Sequence, residues 1–414
     1  MKTFPLAVLF TLFAAAVVAA ETPPRPPPPD FESNLPIVAL DATCALSRDA
    51  KTPGTVRLLP PKGVAVIGTN SWPAAVRYPG ASSLGYPKKS FAFSLTTPAR
   101  LLDLRESAHW VLNAAFIDRS LMRHKLSYDL FRSLSATNAS RFAAASRFVE
   151  VFFNGEHQGA YLLMERVDRP MAGLRIFNSN EVNHAVIYKA IDHAANFGHA
   201  GHGGFEQREP DPLVKEHWRP LDLFTRFVSG TADAAFWDAT NGLAARLDLD
   251  NAIDFHLLVL LTSNLDGITK NFLLARDAVV EGQPRPRFFF MPWDYDGTFG
   301  RNWDASPVAP DAWLSNHLFD RLMNHRPYVE KFARRWRQLR EREFAAKTVQ
   351  DMIDANARTL GEAARRNAIR WRGAAGYHPG KLSWEEDLAQ MKSWVEARGR
   401  WLDGEIARRT AAPR

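Results

Sequence analysis

Two acidic positions close apolar runs in the middle of this chain, and a carboxamide stands between them. The run Leu257–Leu261 leads into Asn264-Leu265-Asp266, and Asn271 follows in the pattern Asp-x-x-x-x-Asn. A second run, Phe288–Met291, leads into Trp293-Asp294-Tyr295-Asp296-Gly297. A buried strand has no reason to finish in two carboxylates unless a cation or water meets them, because an unpaired buried charge is costly. Transfer of a phosphoryl group needs few protein groups: a carboxylate that orients and deprotonates the accepting hydroxyl, and oxygen ligands that hold a divalent cation on the phosphates. On that chemistry Asp266 is the candidate base and Asn271 and Asp294 the candidate metal ligands. Asp296, on the same side of an extended segment, is a candidate to share the metal. Each residue also has an ordinary reading. Asp266-Gly267 favours a turn, Asn271 turns or caps, and Asp294 with Asp296 suits an Asx-rich loop or a Ca²⁺ site of alternating carboxylates.

The elements that must position these groups begin with short strands from Leu35: PIVAL, TVRLL, GVAVIG, VRYPG and KSFAFSL. In the last, Phe91, Phe93 and Leu95 alternate with Ala92 and Ser94, the period of a half-buried strand. Lys88 and Lys89 stand at its start, behind the turn Gly80-Ala81-Ser82-Ser83-Leu84-Gly85. Backbone amides and an ammonium there would suit phosphates, and a solvated lysine pair is the plain alternative. Parity assigns Lys89 to the covered face and Lys88 to the other. Met122, Leu126, Leu130 and Leu134 predict an amphipathic helix over Asp118–Leu134, with Asp118 as its cap. Asn154-Gly155 between two strand-like runs predicts a tight hairpin, and its second strand ends at Glu165, either a pocket-lining acid or a surface one. The polar, glycine-rich stretch Asp192–Pro212 carries His193, His199 and His202; nothing fixes a metal geometry among them, and a mobile loop over a cleft mouth is expected. Helices are predicted over Asp222–Ala245, Leu249–Leu261, His325–Glu343, Lys347–Trp371 and Ser383–Arg408, the last opened by the capping box Ser383-Trp384-Glu385-Glu386.

The whole chain of 414 residues is 46% hydrophobic and 23% charged, which excludes a disordered polymer and allows a two-lobed globular body. Its formal net charge of +7 suits an acidic or phosphorylated ligand. No zinc knuckle, recognition helix or aromatic-basic RNA motif accompanies that charge, so no nucleic-acid partner is expected. Met1-Lys2, the apolar run Phe4–Val18 and Ala19-Ala20 read as a signal peptide over residues 1–20, and the run is short for a membrane span. Export to a periplasmic, cell-surface or secreted location follows, with no stable transmembrane anchor after cleavage. Residues 21–34 form a proline-rich linker. The single cysteine, Cys44, allows no internal disulfide.

Taken in order, the motifs closely resemble the CotH kinase family of spore-coat and surface-exposed proteins. The likeness lies in FVEVFFNGEHQGAYLLMERV, NLDGITKNFLL and FMPWDYDGTFGR, with GASSLGYPKKSF and HWVLNAAFIDRSLMRHKL similar to the family's N-terminal motifs. It covers roughly Leu35 to Asn324. The resemblance implies an α+β, two-lobed, protein-kinase-like fold: a strand-rich N-terminal lobe over 35–170, a C-terminal lobe over 171–324, and a helical extension over 325–414. It implies ATP with Mg²⁺ or Mn²⁺ as cofactors and transfer of the γ-phosphoryl to Ser or Thr hydroxyls of an unknown protein substrate. Asp266 resembles the family's catalytic carboxylate, Asn271 its metal-binding amide, Asp294 its Mg²⁺ carboxylate, and Lys89, or less well Lys88, its nucleotide-phosphate lysine. Glu165 stands where a kinase chain passes between lobes. The chain departs from kinases in having no G-x-G-x-x-G loop, no His-Arg-Asp (Asn264 stands in the histidine's place) and no Glu in the helix expected at 118–134. A non-catalytic surface or coat scaffold, and transfer of AMP through the same groups, are the alternative readings.

Overall fold

Alternating apolar residues in the first part of the chain wind seven strands into a closed barrel. The computed structural model describes residues 31–65, 70–80, 82–135, 141–175, 184–375 and 382–411. The expected signal peptide, most of the proline-rich stretch and part of GVAVIG lie outside the described residues. The strands are β1 (Ile37–Ala42), β2 (Thr52–Leu59), β3 (Ser71–Arg77), β4 (Phe91–Arg100), β5 (Glu106–Asn113), β6 (Ser146–Phe153) and β7 (Glu156–Glu165). Their order is β1-β2-β3-β4-β5-β7-β6, and parallel pairing of β1 with β6, Ile37 opposite Glu150, closes the ring. Phe91, Phe93, Trp110, Leu112, Val149 and Val151 point inward and form its core. The hairpin turn is as expected: Asn154 and Gly155 both take positive φ, 49° and 82°, which matches the strand twist of a two-residue loop.

The second body combines helices with a four-stranded sheet of order β11-β10-β8-β9. Its elements are α1 (Arg123–Ser133), β8 (Val186–Ala190), β9 (Phe205–Glu209), α2 (Arg219–Gly230), α3 (Asp233–Phe236), α4 (Leu249–Thr262), β10 (Phe272–Arg276), β11 (Phe289–Pro292), α5 (His317–Met323), α6 (Arg326–Glu341), α7 (Ala346–Arg370) and α8 (Trp384–Ala411). The fold class is α+β, strand-rich first and helical last, with a barrel as the strand-rich part. Two helices differ from expectation. α1 starts at Arg123, because Asp118 folds its carboxylate back over a loop and accepts the N–H of Ser120 at 3.0 Å and of Arg123 at 2.8 Å. The helix expected over Asp222–Ala245 is broken into α2, α3 and a 3-10 turn at Leu243–Ala245, since Thr231 after Gly230 is extended. α4 is buried nearly throughout, as its unbroken apolar sequence predicts. The capping box of α8 forms in both directions: Glu386 N–H donates to Ser383 Oγ at 3.1 Å, and Ser383 N–H to Glu386 Oε2 at 2.6 Å.

The C-terminal helices are built into the same core. Leu388, Met391, Val395 and Leu402 of α8 join the apolar cluster that holds α1 and α4. α7 lies against β6 and β7, and Arg366 on it donates to Glu150 inside the barrel wall. Burial pushes the Glu150 carboxyl up, but hydrogen bonds from His157, Arg366 and Ser33 outweigh it and bring its pKa from 4.5 down to about 2. A depressed carboxyl contributes stability that is complete above its unfolded value and lost as pH falls through its folded one. On the order of 3 kcal/mol should therefore disappear between about pH 4.5 and pH 2. Acid unfolding followed by circular dichroism should show Glu150→Gln less stable than the parent at pH 6, with the gap closing near pH 2.

Candidate active site

The turn after α4 and the end of β11 meet at one end of the second sheet. α4 stops where Ser263 turns left-handed, φ 51°. Asn264 then links two segments: its side-chain nitrogen donates to the Asp294 carbonyl at 3.1 Å, and its oxygen accepts the Gly267 N–H at 3.0 Å. A Cβ on Gly267 would lie 2.6 Å from Asn264 Cγ, so glycine lets the turn close on that side chain. Asp266 opens a 3-10 turn with its carboxylate about one-third exposed, 3.1 Å from Lys270 Nζ and 3.8 Å from His193 Nε2. Asn271 precedes β10; its N–H donates to the Ala190 carbonyl at 3.1 Å, and its carbonyl accepts from Trp293 at 3.2 Å. Asn271 and Asp294 both hold positive φ, 57° and 56°. Non-glycine residues pay roughly 1 kcal/mol or more for that conformation, and such residues gather at functional sites.

Helix α1 carries the support for the acidic segment. Tyr128 Oη accepts the Asp294 N–H at 3.0 Å, and His124 Nδ1 accepts the Tyr295 N–H at 3.1 Å. His124 and Tyr128 are one helical turn apart and so share a face. His124 Nε2 then lies 3.6 Å from Asp294 Oδ1. The helix is anchored by Arg123, whose guanidinium donates to Asp387 Oδ2 at 2.8 Å, Asp387 Oδ1 at 2.9 Å, Asp118 Oδ1 at 2.6 Å and the Thr298 carbonyl at 2.9 Å. Beside Asp296 a recess is walled by Phe116, Ile117, Arg119, Arg301 and Asn302, with the Tyr86 ring tilted against Phe116 at 5.3 Å. Burial, then the charges of Asp294 and Asp118, hold the Asp296 carboxyl well above the usual carboxylate range.

The lysines behave differently from their parity. β4 begins only at Phe91, so the alternation does not extend back to the pair. Lys88 is the buried one, 1% exposed, and its ammonium spends its three hydrogens on the Ala114 carbonyl at 2.6 Å, Asn367 Oδ1 at 2.8 Å and the Ala160 carbonyl. It fastens the barrel to α7 and has no donor left for a ligand. Lys89 Nζ donates to the Leu84 carbonyl of the preceding turn. Glu165 is buried, with one carboxylate oxygen on the Arg105 N–H at 3.3 Å and the other on the Ala145 N–H at 3.1 Å. The acid that a kinase helix would offer a lysine is absent here, and carbonyls replace it. The histidine stretch, expected as a mobile loop, carries a short strand and contacts to its neighbours. His193 Nδ1 bonds Thr269 Oγ1 at 2.7 Å, His202 stacks on Trp218 at 4.4 Å and pairs with Asp222, and Phe205–Glu209 is β9.

Compared with known proteins, the chain matches the family model described as CotH kinase protein over residues 76–402. The chain belongs to this family. A relative, the inner spore coat protein H of Bacillus subtilis (strain 168), is 28% identical over 250 residues, which are 57% of this chain and 61% of the relative. The chain thus spans less than two-thirds of that relative's length. The CotH match runs from β3 into α8, so it takes in most of the helices expected as an appended extension. Among the described residues no helix is long and apolar enough to cross a membrane.

His124, Asp294 and Asp296 offer ligand atoms that all lie within 4.8 Å of one another. A divalent cation fits here on the chemistry of the donors: two neighbouring carboxylates, one with its pKa raised by burial and by its neighbour's charge, are what a hard cation offsets. His124 fits a different role. With Nδ1 accepting from Tyr295, the neutral imidazole carries its hydrogen on Nε2, which faces Asp294 as a donor and offers a metal no lone pair. His124 and Tyr128 were not singled out in the sequence, although their spacing on a helix was legible. Lys189 was also missed; a lysine at the parity of Ile187 in a buried strand was its signal. Replacing Asp296 by Asn should stabilise the metal-free protein by on the order of 1 kcal/mol, because a carboxyl disfavoured in its charged form by burial and by Asp294 and Asp118 gives way to a neutral amide. Calorimetric melting with and without Mn²⁺ checks this: the parent should gain stability from the ion, and Asp296→Asn should lose most of that gain.

Proposed function

We propose that this CotH family member is an exported protein kinase with a two-lobed, kinase-like arrangement, moving the γ-phosphoryl of Mg·ATP to Ser or Thr hydroxyls of an extracytoplasmic protein. The observation that carries the reading is the link through Asn264 between the turn bearing Asp266 and the segment bearing Asp294 and Asp296. In this reading Asp294, Asp296 and Asn271 hold Mg²⁺ or Mn²⁺, which when bound neutralises charge on the phosphate oxygens. Asp266 accepts the proton of the acceptor hydroxyl while that oxygen bonds to the γ-phosphorus. The bond to the β,γ-bridging oxygen breaks, and ADP leaves with its electron pair. Lys270 and His193 keep the Asp266 carboxylate aimed, and its exposure leaves it open to an incoming hydroxyl.

The relative's name, a coat protein, supports a second reading, a scaffold or adhesin that does no chemistry. Purified protein incubated with Mn²⁺ and ATP labelled at the γ- or α-phosphate separates the readings. Kinase activity transfers only the γ label, AMP transfer only the α label, and a scaffold neither. Asp266→Ala should cut γ transfer by about a hundredfold or more while leaving the melting temperature nearly unchanged. Undiminished transfer in that variant would remove Asp266 from the mechanism.

A further inference from the structure

Lys189 reaches the acidic end of the second sheet from β8. Its Cα pairs with Leu273 of β10 on one side and Glu206 of β9 on the other. The carbonyl of the next residue, Ala190, accepts the Asn271 N–H at 3.1 Å. The ammonium stands 4.7 Å from the centre of the Trp293 ring, the residue before Asp294. Among the described residues it makes no hydrogen bond and no ion pair. Burial lowers its pKa, Arg208 adds to the loss, and the charges of Asp294 and Glu206 oppose it.

A shielded ammonium lying on an indole face, with its hydrogens unspent, is costly unless an anion completes it. The other two lysines considered for this role have donated to protein oxygens, and Lys88 has used all it has. Further positive charge continues past Lys189. Arg208 on β9 pairs, among the described residues, with Glu206 at 3.2 Å, and Arg166 beyond the end of β7 lies close enough to Arg208 to depress its pKa, though less than burial does. A face of this kind takes a chain of phosphates, and the carboxylates beside it take the cation that accompanies them.

We propose that Lys189 binds the phosphate chain of the nucleoside triphosphate, so that the phosphate lysine of this protein comes from the second sheet beside the metal carboxylates and not from the loop before β4. The proposal rests on the kinase reading above. Isothermal titration of the full chain with Mg·ATP and with adenosine tests it. In Lys189→Met the dissociation constant for Mg·ATP should rise about tenfold or more, with the constant for adenosine unchanged, because only the phosphate contact is lost. Lys189→Arg should recover most of the loss, and Lys89→Met should lose less than Lys189→Met. Should Lys189→Met melt before it can be titrated, Lys189→Gln carries the same comparison. Equal Mg·ATP affinity in parent and Lys189→Met, or a larger loss in Lys89→Met, overturns the assignment and leaves the kinase reading standing. A parent protein that binds no Mg·ATP at millimolar concentration overturns the kinase reading and this assignment together.

Discussion

The buried guanidinium of Arg123 holds three distant parts of the chain at one point. It pairs with Asp118 before α1 and Asp387 in α8, and it donates to the Thr298 carbonyl just past Asp296. Burial works against the charge, yet the two carboxylates overcome it and keep the arginine firmly protonated. Such a cluster adds little net stability over apolar packing, but leaving one member unpaired is expensive. Its value here is positional. His124 follows Arg123 directly and Tyr128 stands one turn on, so the ion cluster sets where the Tyr128 hydroxyl and the His124 ring nitrogen receive the Asp294 and Tyr295 amides.

The site is thereby assembled from both ends of the chain. α8 belongs to it through Asp387, and α7 belongs to the barrel through Asn367 on Lys88 and Arg366 on Glu150. A chain cut before these helices would take Asn367 from the Lys88 ammonium and Arg366 from the Glu150 carboxylate, one partner from each of two groups in the barrel wall. This explains why the last helices behave as part of the domain, and it agrees with a CotH match that continues into α8.

The site residues carry two costs, backbone strain at Asn271 and Asp294 and like charge between Asp294 and Asp296. Asn271 and Asp294 both adopt left-handed φ directly beyond the ladder pair Phe272–Pro292. The first is held by the Ala190 carbonyl and Trp293, the second by Asn264 and Tyr128. Rigid supports on every side let a small cluster keep an unfavourable conformation that loose loops would relax. A ligand that brings positive charge would recover part of the like-charge cost.

The strand periods, the Asn154-Gly155 turn, the buried α4, the capping box of α8 and the two carboxylate clusters ending apolar runs were legible in the sequence, because each depends on neighbours within a few residues. So was membership of the CotH family, carried by ordered motifs. Closure of the barrel was not, since it depends on β1 meeting β6 across more than a hundred residues of chain. Neither was the fate of the lysines: parity holds only inside a strand, and Lys88 lies before one, where a helix from the far end of the chain supplies its amide. His124, Tyr128 and Lys189 sat unremarked for the same reason. Local pattern determined which residues could do chemistry, and long-range packing decided which of them face one another, because the burial and partners that give a side chain its role come from segments distant in sequence.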